Sequence, residues 1–249
     1  MSKIIAVISG KSGTGKSTAC ANIATALAHY KKRTVIVELG QTLRCQDLIL
    51  GSTALTHDIM QYIANDNLEL TSVVQQVRES DENLYLVCAS LEPYATANEP
   101  HISAILGVVE ELRDSFDYIV IDTANSGSLS SLGSALAVGE IADEIIMVTT
   151  PERDSVRDCA ALSDLLYIKK CENQRLLINK VDTEILTELP NLDAVMDEVG
   201  IPLIGVLLED NDVKICTAKG ITLPARSRPY KEYHAIAKRL LGDDVALTL

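Results

Sequence analysis

One pattern recurs through this chain from end to end. Short apolar runs rich in Ile, Val and Leu return along its 249 residues, separated by longer stretches of helical periodicity. The runs cover residues 4–9, 34–38, 84–89, 118–122, 144–149, 175–179 and 203–207. Their cores read IIAVI, VIV, YIVI, IIMV and LLI, apolar at every position rather than at alternate ones. Strands of that kind are covered on both faces, the situation of a parallel sheet between two helical layers. Between the runs, Cys20, Ile23, Ala24, Leu27 and Ala28 recur at helical spacing, as do Tyr233, Ile236, Ala237, Leu240 and Leu241. Both stripes read as core faces. Strand and helix alternate to the end, with no repeat, low-complexity tract or Pro/Gly-rich linker to divide them. The expectation is one α/β domain over residues 1–249, a three-layer fold with a mostly parallel sheet of about seven or eight strands and helices on both faces. Its ligand belongs at the C-terminal ends of the strands.

One segment carries chemistry. The first run leads into GKSGTGKST, residues 10–18, and a helical pattern follows. Gly10, Gly15, Lys16 and Ser17 fit the phosphate-loop pattern G-x-x-x-x-G-K-[ST] in its required strand–loop–helix context. The glycines let the backbone curl so that successive N–H groups face inward, at the positive end of the following helix. Gly10, Ser12, Gly13, Thr14, Gly15, Lys16, Ser17 and Thr18 are thereby expected to surround a polyphosphate, which the family resemblance given below implies is that of ATP. Lys16 would reach the β- and γ-phosphates, and the Ser17 hydroxyl would ligate Mg²⁺. The rival dinucleotide pattern G-x-G-x-x-G fails, because Thr18 stands in the last glycine's place.

Two further segments extend the site. Tyr118–Asp122 is an apolar run ending in a carboxylate, and Asp122 there can hold a water on the Mg²⁺. Asn179-Lys180-Val181-Asp182 resembles the N-K-x-D base-reading motif of GTPases, although Asn179 could equally face the amino group of adenine.

Composition narrows the alternatives. Lys and Arg number 22 against 35 Asp and Glu, a net charge of -13, which disfavours a non-specific grip on nucleic acid or anionic lipid. One Phe, no Trp and eight Tyr leave few stacking platforms for single strands. The stretch holding Arg226, Arg228, Lys231, Lys238 and Arg239 reads as a solvated helix face. The six cysteines contain no Cys-x-x-Cys pair and read as reduced thiols of a cytoplasmic protein. The first apolar run is too short for a signal peptide, and no stretch is long enough to span a bilayer.

Lys11 makes the loop distinctive. With it, GKSGTGKST resembles the deviant phosphate loop, KGG-x-GK-[ST], of the MinD/ParA family of dimerising ATPases. The segments ELGQTLRCQDLILG (38–51), TPERDSVRD (150–158) and GVLLEDNDV (205–213) resemble family segments too, with G-L-R-N-L-D-L, P-E-x-x-S-V-R-D and G-V-I-P-E-D cores. The likeness spans nearly the whole chain and is strongest toward the MinD branch. It implies a homodimer with ATP sandwiched at the interface, Lys11 reaching the partner's phosphates and Lys16 its own, the two acting as catalytic lysines. It implies regulatory partner proteins as well. The implied role is positioning of cell machinery at the division site, or of a pilus, flagellum or secretion apparatus.

Four departures qualify it. The family's second carboxylate after the second strand, which helps position the attacking water, is Gly40 here, in Glu38-Leu39-Gly40. Ser12 replaces a usual glycine, and Thr123-Ala124-Asn125-Ser126 stands where the family commonly has a Pro-Gly turn. Leu208 replaces a proline near the base. The basic amphipathic membrane helix that generally ends such chains does not follow LLGDDVALTL, so membrane association is expected only through partners. Binding of Mg·ATP and dimerisation should survive these changes, with slow hydrolysis unless Glu38 or Asp47 substitutes. The competing readings are a catalytically inactive nucleotide-binding scaffold, a ParA-like DNA partition ATPase, and a metallocluster carrier, which would need cysteines such as Cys88 and Cys159 at a dimer interface.

Overall fold

A computed structural model describes residues 2–39, 44–53, 56–79, 81–90, 99–123, 129–182 and 192–247. Strand β1 (Lys3–Ile8) shows why the apolar runs lack alternation. Its Ile4, Ala6 and Ile8 belong to one buried cluster and its Ile5 and Val7 to another, on opposite faces of the sheet. All the expected runs become strands, with ends displaced by at most two residues. After β1 they are β2 (Thr34–Glu38), β4 (Leu84–Val87), β5 (Tyr118–Asp122), β6 (Glu144–Thr149), β7 (Gln174–Val181) and β8 (Leu203–Leu208). One strand escapes the sequence reading: β3 (Gln75–Gln76), two polar residues antiparallel to β4 at the sheet edge. Among the described residues the sheet has eight strands in the order β3-β4-β2-β5-β1-β6-β7-β8, parallel apart from β3.

The helices complete the layers. Helix α1 (Lys16–His29) buries Cys20, Ile23, Ala24 and Leu27 beneath one face. Helix α2 (Gln46–Leu50) adds Leu50 to that layer, and α8 (Asn211–Lys219) and α9 (Arg228–Leu241) lie there too. In α9, Tyr233, Ile236, Ala237 and Leu240 are buried, as their spacing requires. The opposite face is covered by α4 (Glu99–Leu112), α5 (Leu129–Ile141), α6 (Arg153–Ile168) and α7 (Leu192–Val199). Helix α3 (Ile59–Ile63) is short and opens on a capping box, in which Asp58 accepts from the Met60 and Gln61 amides. Ser227 caps α9, with Pro229 in the first turn and Gly242 at the C-cap in a left-handed conformation.

This topology places the site. From β1 the chain crosses to β2 on one side of the sheet centre, and later strands build the other side as β6, β7 and β8. The loop after β1 therefore opens at the point where the strand order reverses, where open α/β sheets form their crevice. Val7, Glu38 and Asp122 stand level there, on three adjacent strands.

Candidate functional site

The loop between β1 and α1 needs its glycines. Gly13 and Gly15 have φ of +80° and +89°, the left-handed region that L side chains disfavour. A Cβ on Gly15 would also lie 2.2 Å from Asn179 Nδ2, and one on Gly10 would lie 2.4 Å from the backbone carbonyl of Asp158 in α6. Two side chains from the end of β7 brace the loop from outside. Asn179 Nδ2 donates to the Thr14 carbonyl at 2.7 Å, and Lys180 Nζ donates to the Gly13 carbonyl at 2.7 Å. Thr14 itself is buried, and its hydroxyl has no partner among the described residues.

Beneath the loop lies a buried polar cluster. Lys16 is 4 % exposed, and its Nζ donates to Asp122 Oδ1 at 2.5 Å and to the Thr123 carbonyl. The other carboxylate oxygen of Asp122 accepts from Gln46 Nε2 at 2.7 Å, and that same nitrogen donates to the Ser17 carbonyl at 3.0 Å. Glu38 Oε1 accepts the Cys45 and Gln46 amides at 2.6 and 3.1 Å. Burial pushes the Glu38 carboxyl above its ordinary value, against the opposing pull of those amides. Burial, with the charge of Glu38, raises the Cys45 thiol to about 12.

Oxygen or sulfur atoms of Glu38, Cys45 and Asp122 lie within 4.8 Å of one another, the one such group among the described residues. A protonated thiol is a poor ligand for a hard cation, whereas a carboxylate and the neighbouring Ser17 hydroxyl suit Mg²⁺. The donor set and the unpartnered Thr14 hydroxyl fit a Mg²⁺-bound polyphosphate. Asp47, a possible stand-in for the missing carboxylate, pairs through Oδ2 with Arg44 at 2.9 Å, and its Oδ1 is buried with no partner among the described residues. Gly40 and residues 124–126 lie outside the described residues.

Lys11 does not join the cluster. Its Nζ donates to Asp154 Oδ2 at 2.5 Å, near the start of α6, with both side chains substantially exposed. That hydrogen bond raises the Lys11 ammonium and lowers the Asp154 carboxyl from their ordinary values. Gly10, Ser12, Gly13, Thr14, Gly15, Lys16, Ser17 and Thr18 are thus brought together around one loop, with Asp122 beneath them and Asn179 beside them. Asn179 spends a donor on the loop itself and also borders a cleft of ≈ 380 Å³. Gly15, Thr18, Leu208, Val213 and Tyr233 also line that cleft. A larger cavity, ≈ 600 Å³, lies at the far end of α1 among His29, Asp81, Tyr230 and His234. It includes none of the loop residues, so volume is a poor guide to the chemistry here.

Asp154, Lys180 and Gln46 escaped the sequence reading as site residues. Gln46 left a signal, since it puts an amide where the family core G-L-R-N-L-D-L has an apolar residue. Among the basic residues, Arg239 donates to the Ile204 and Val245 carbonyls at 2.8 and 2.9 Å, tying the chain's end to β8 rather than facing outward.

Comparison with known proteins shows the family and the fold. The family model for the CobQ/CobB/MinD/ParA nucleotide-binding domain matches residues 5–223. The septum site-determining protein MinD of Synechocystis is 33% identical over 251 residues, 98% of this chain and 91% of that protein. The Bacillus subtilis MinD is 30% identical over 253 residues, 99% and 92% of the two chains. Among solved structures, MinD in the MinC:MinD complex of Aquifex aeolicus superposes with a TM-score of 0.87 at 24% identity, over 100% of this chain and 99% of that one. MinD of Pyrococcus horikoshii, complexed with Mg-ADP, gives 0.80 at 22% identity, over 98% and 100%. With a phosphate-loop geometry at the strand-order reversal and a family match over most of its length, this chain belongs to the CobQ/CobB/MinD/ParA family of nucleotide-binding proteins.

Proposed function

We propose that the chain is a single-domain, dimerising ATPase of the MinD type, used as a nucleotide-controlled switch. The observation that carries this reading is the loop at 10–18 set over the buried Lys16–Asp122 pair. Backbone amides of Gly10 to Thr18 and the Lys16 ammonium hold the phosphates of ATP, and Asn179 lies beside the base cleft. Ser17 and Asp122 hold Mg²⁺, whose chemistry is to neutralise charge on the phosphates. Lys11 serves in trans: released from Asp154, a half-exposed lysine on the loop's outer flank is free to meet phosphates carried by a second copy.

Hydrolysis is slow, because Gly40 supplies no group to orient water and Glu38 is held by backbone amides. The dimer recruits regulatory partner proteins that position cell machinery, the division site first among them given the septum-determining relatives. It works in the cytoplasm and meets the membrane through those partners. Among the described residues no helix is long and apolar enough to cross a bilayer.

Sedimentation with ADP, ATP and a non-hydrolysable analogue, run beside phosphate release, tests the reading. ATP and the analogue should give dimers and ADP monomers. A chain that binds ATP and stays monomeric is a scaffold rather than a switch.

A further inference from the structure

Gln46, the first residue of α2, is fully buried (0 % exposed), an unusual place for a primary amide. Its Nε2 donates to Asp122 Oδ2 at 2.7 Å and to the Ser17 carbonyl at 3.0 Å. Both partners only accept, so the amide nitrogen must face them, and this fixes which way the amide is turned. The other end, Oε1, is buried with no hydrogen-bond partner among the described residues. A buried oxygen of this kind calls for a donor. The donors around it are already committed: Lys16 Nζ to Asp122 Oδ1 and the Thr123 carbonyl, and the Cys45 and Gln46 amides to Glu38 Oε1.

We propose that Gln46 is a positioning residue for the cation of the nucleotide site. Its Nε2 fixes the Asp122 carboxylate against the Ser17 backbone, and its Oε1 accepts a hydrogen bond from a water on the cation. This rests on the reading of residues 10–18 as a Mg²⁺-nucleotide loop and deepens it. One amide nitrogen joins the two residues assigned to the metal, and it does so from the segment that follows β2. Asp122 is gripped from both sides, by Lys16 on one oxygen and Gln46 on the other. When Lys16 turns toward a phosphate, Gln46 is the contact that keeps the carboxylate facing Ser17.

The test is the affinity of the ADP-loaded protein for the cation, read by Mn²⁺ paramagnetic resonance with Mg²⁺ competition, in the unsubstituted chain and in Gln46→Met. Methionine keeps the volume and removes both the donor and the oxygen. The variant should bind the cation about tenfold to a hundredfold more weakly, while its ADP affinity in chelator stays level. A merely structural role would lower the melting temperature and the chelator-measured ADP affinity instead. Equal cation affinity in the two proteins overturns the assignment. Should Gln46→Met not fold, Gln46→Asn keeps an amide too short to span both acceptors, and the same loss is expected. If nucleotide binding by the unsubstituted chain ignores Mg²⁺ altogether, the nucleotide reading fails first and takes this assignment with it.

Discussion

At Gly15 two independent requirements meet in one residue: a left-handed φ of +89° and a contact that leaves no room for a Cβ beside Asn179. Gly15→Ala should destabilise the chain by about 1–2 kcal/mol from the backbone conformation alone, with more from displacement of Asn179. Urea denaturation measures the loss, and nucleotide affinity should fall with it, because the loop is braced through that asparagine. Gly40 makes the opposite case, a glycine in place of a useful side chain. If the missing carboxylate is what slows hydrolysis, Gly40→Asp should raise phosphate release by orders of magnitude, and an unchanged rate points to another deficit. At this scale the sequence was most legible where backbone chemistry leaves one option. The loop could be read residue by residue because its glycines and lysine have few other uses. Lys11–Asp154 and Gln46–Asp122 could not, because each joins residues far apart in the chain by a side-chain reach that no local pattern encodes.

Among the elements, α1 and α9 pack side by side, and the C-terminal end of α1 meets the first turns of α9 in a ring cluster. His234 lies 4.0 Å from Tyr230 and 4.8 Å from His29, between ring centroids, and its Nδ1 is 3.1 Å from the Tyr30 hydroxyl. Burial, with the nearby charges of His29 and Lys238, lowers its pKa to about 4. The sign follows from linkage: unfolded, this imidazole takes up a proton near pH 6.5, while the folded chain resists until about pH 4. Its contribution is therefore present above about pH 6.5 and is lost as the pH falls toward 4. Stability measured by denaturant titration should decline on acidification through that window. His234→Phe should flatten the decline, whereas an identical slope would mean that other groups carry it. The stripe of α9 was plain from spacing alone, and so was that of α1. That the two stripes lie beneath the same face was not, since periodicity shows that a helix has an inner side and leaves its neighbour open.

For the whole molecule the governing quantity is charge. Each copy carries -13, so a dimer brings two strongly acidic bodies together. Raising the salt from low to physiological concentration shortens the screening length to about 8 Å, and the dimer proposed for the ATP-bound state should tighten as it does. Weakening instead would mean that ion pairs across the interface outweigh the overall repulsion; equilibrium sedimentation at several salt concentrations decides. The apolar runs foretold a sheet covered on both faces, and the polar edge strand β3 stayed hidden because two glutamines carry no period.

The Lys16–Asp122 pair has a corollary for how ligands come and go. Beneath the loop a buried ammonium and a buried carboxylate cancel each other. Once Lys16 turns to a triphosphate, Asp122 is left as a buried charge without its partner, a costly state unless another cation replaces it. On the proposed function, nucleotide and metal raise each other's affinity by the same factor, since coupling between sites is reciprocal. The cleft behaves as an ion exchanger, and stripping the metal with a chelator should release the nucleotide as well.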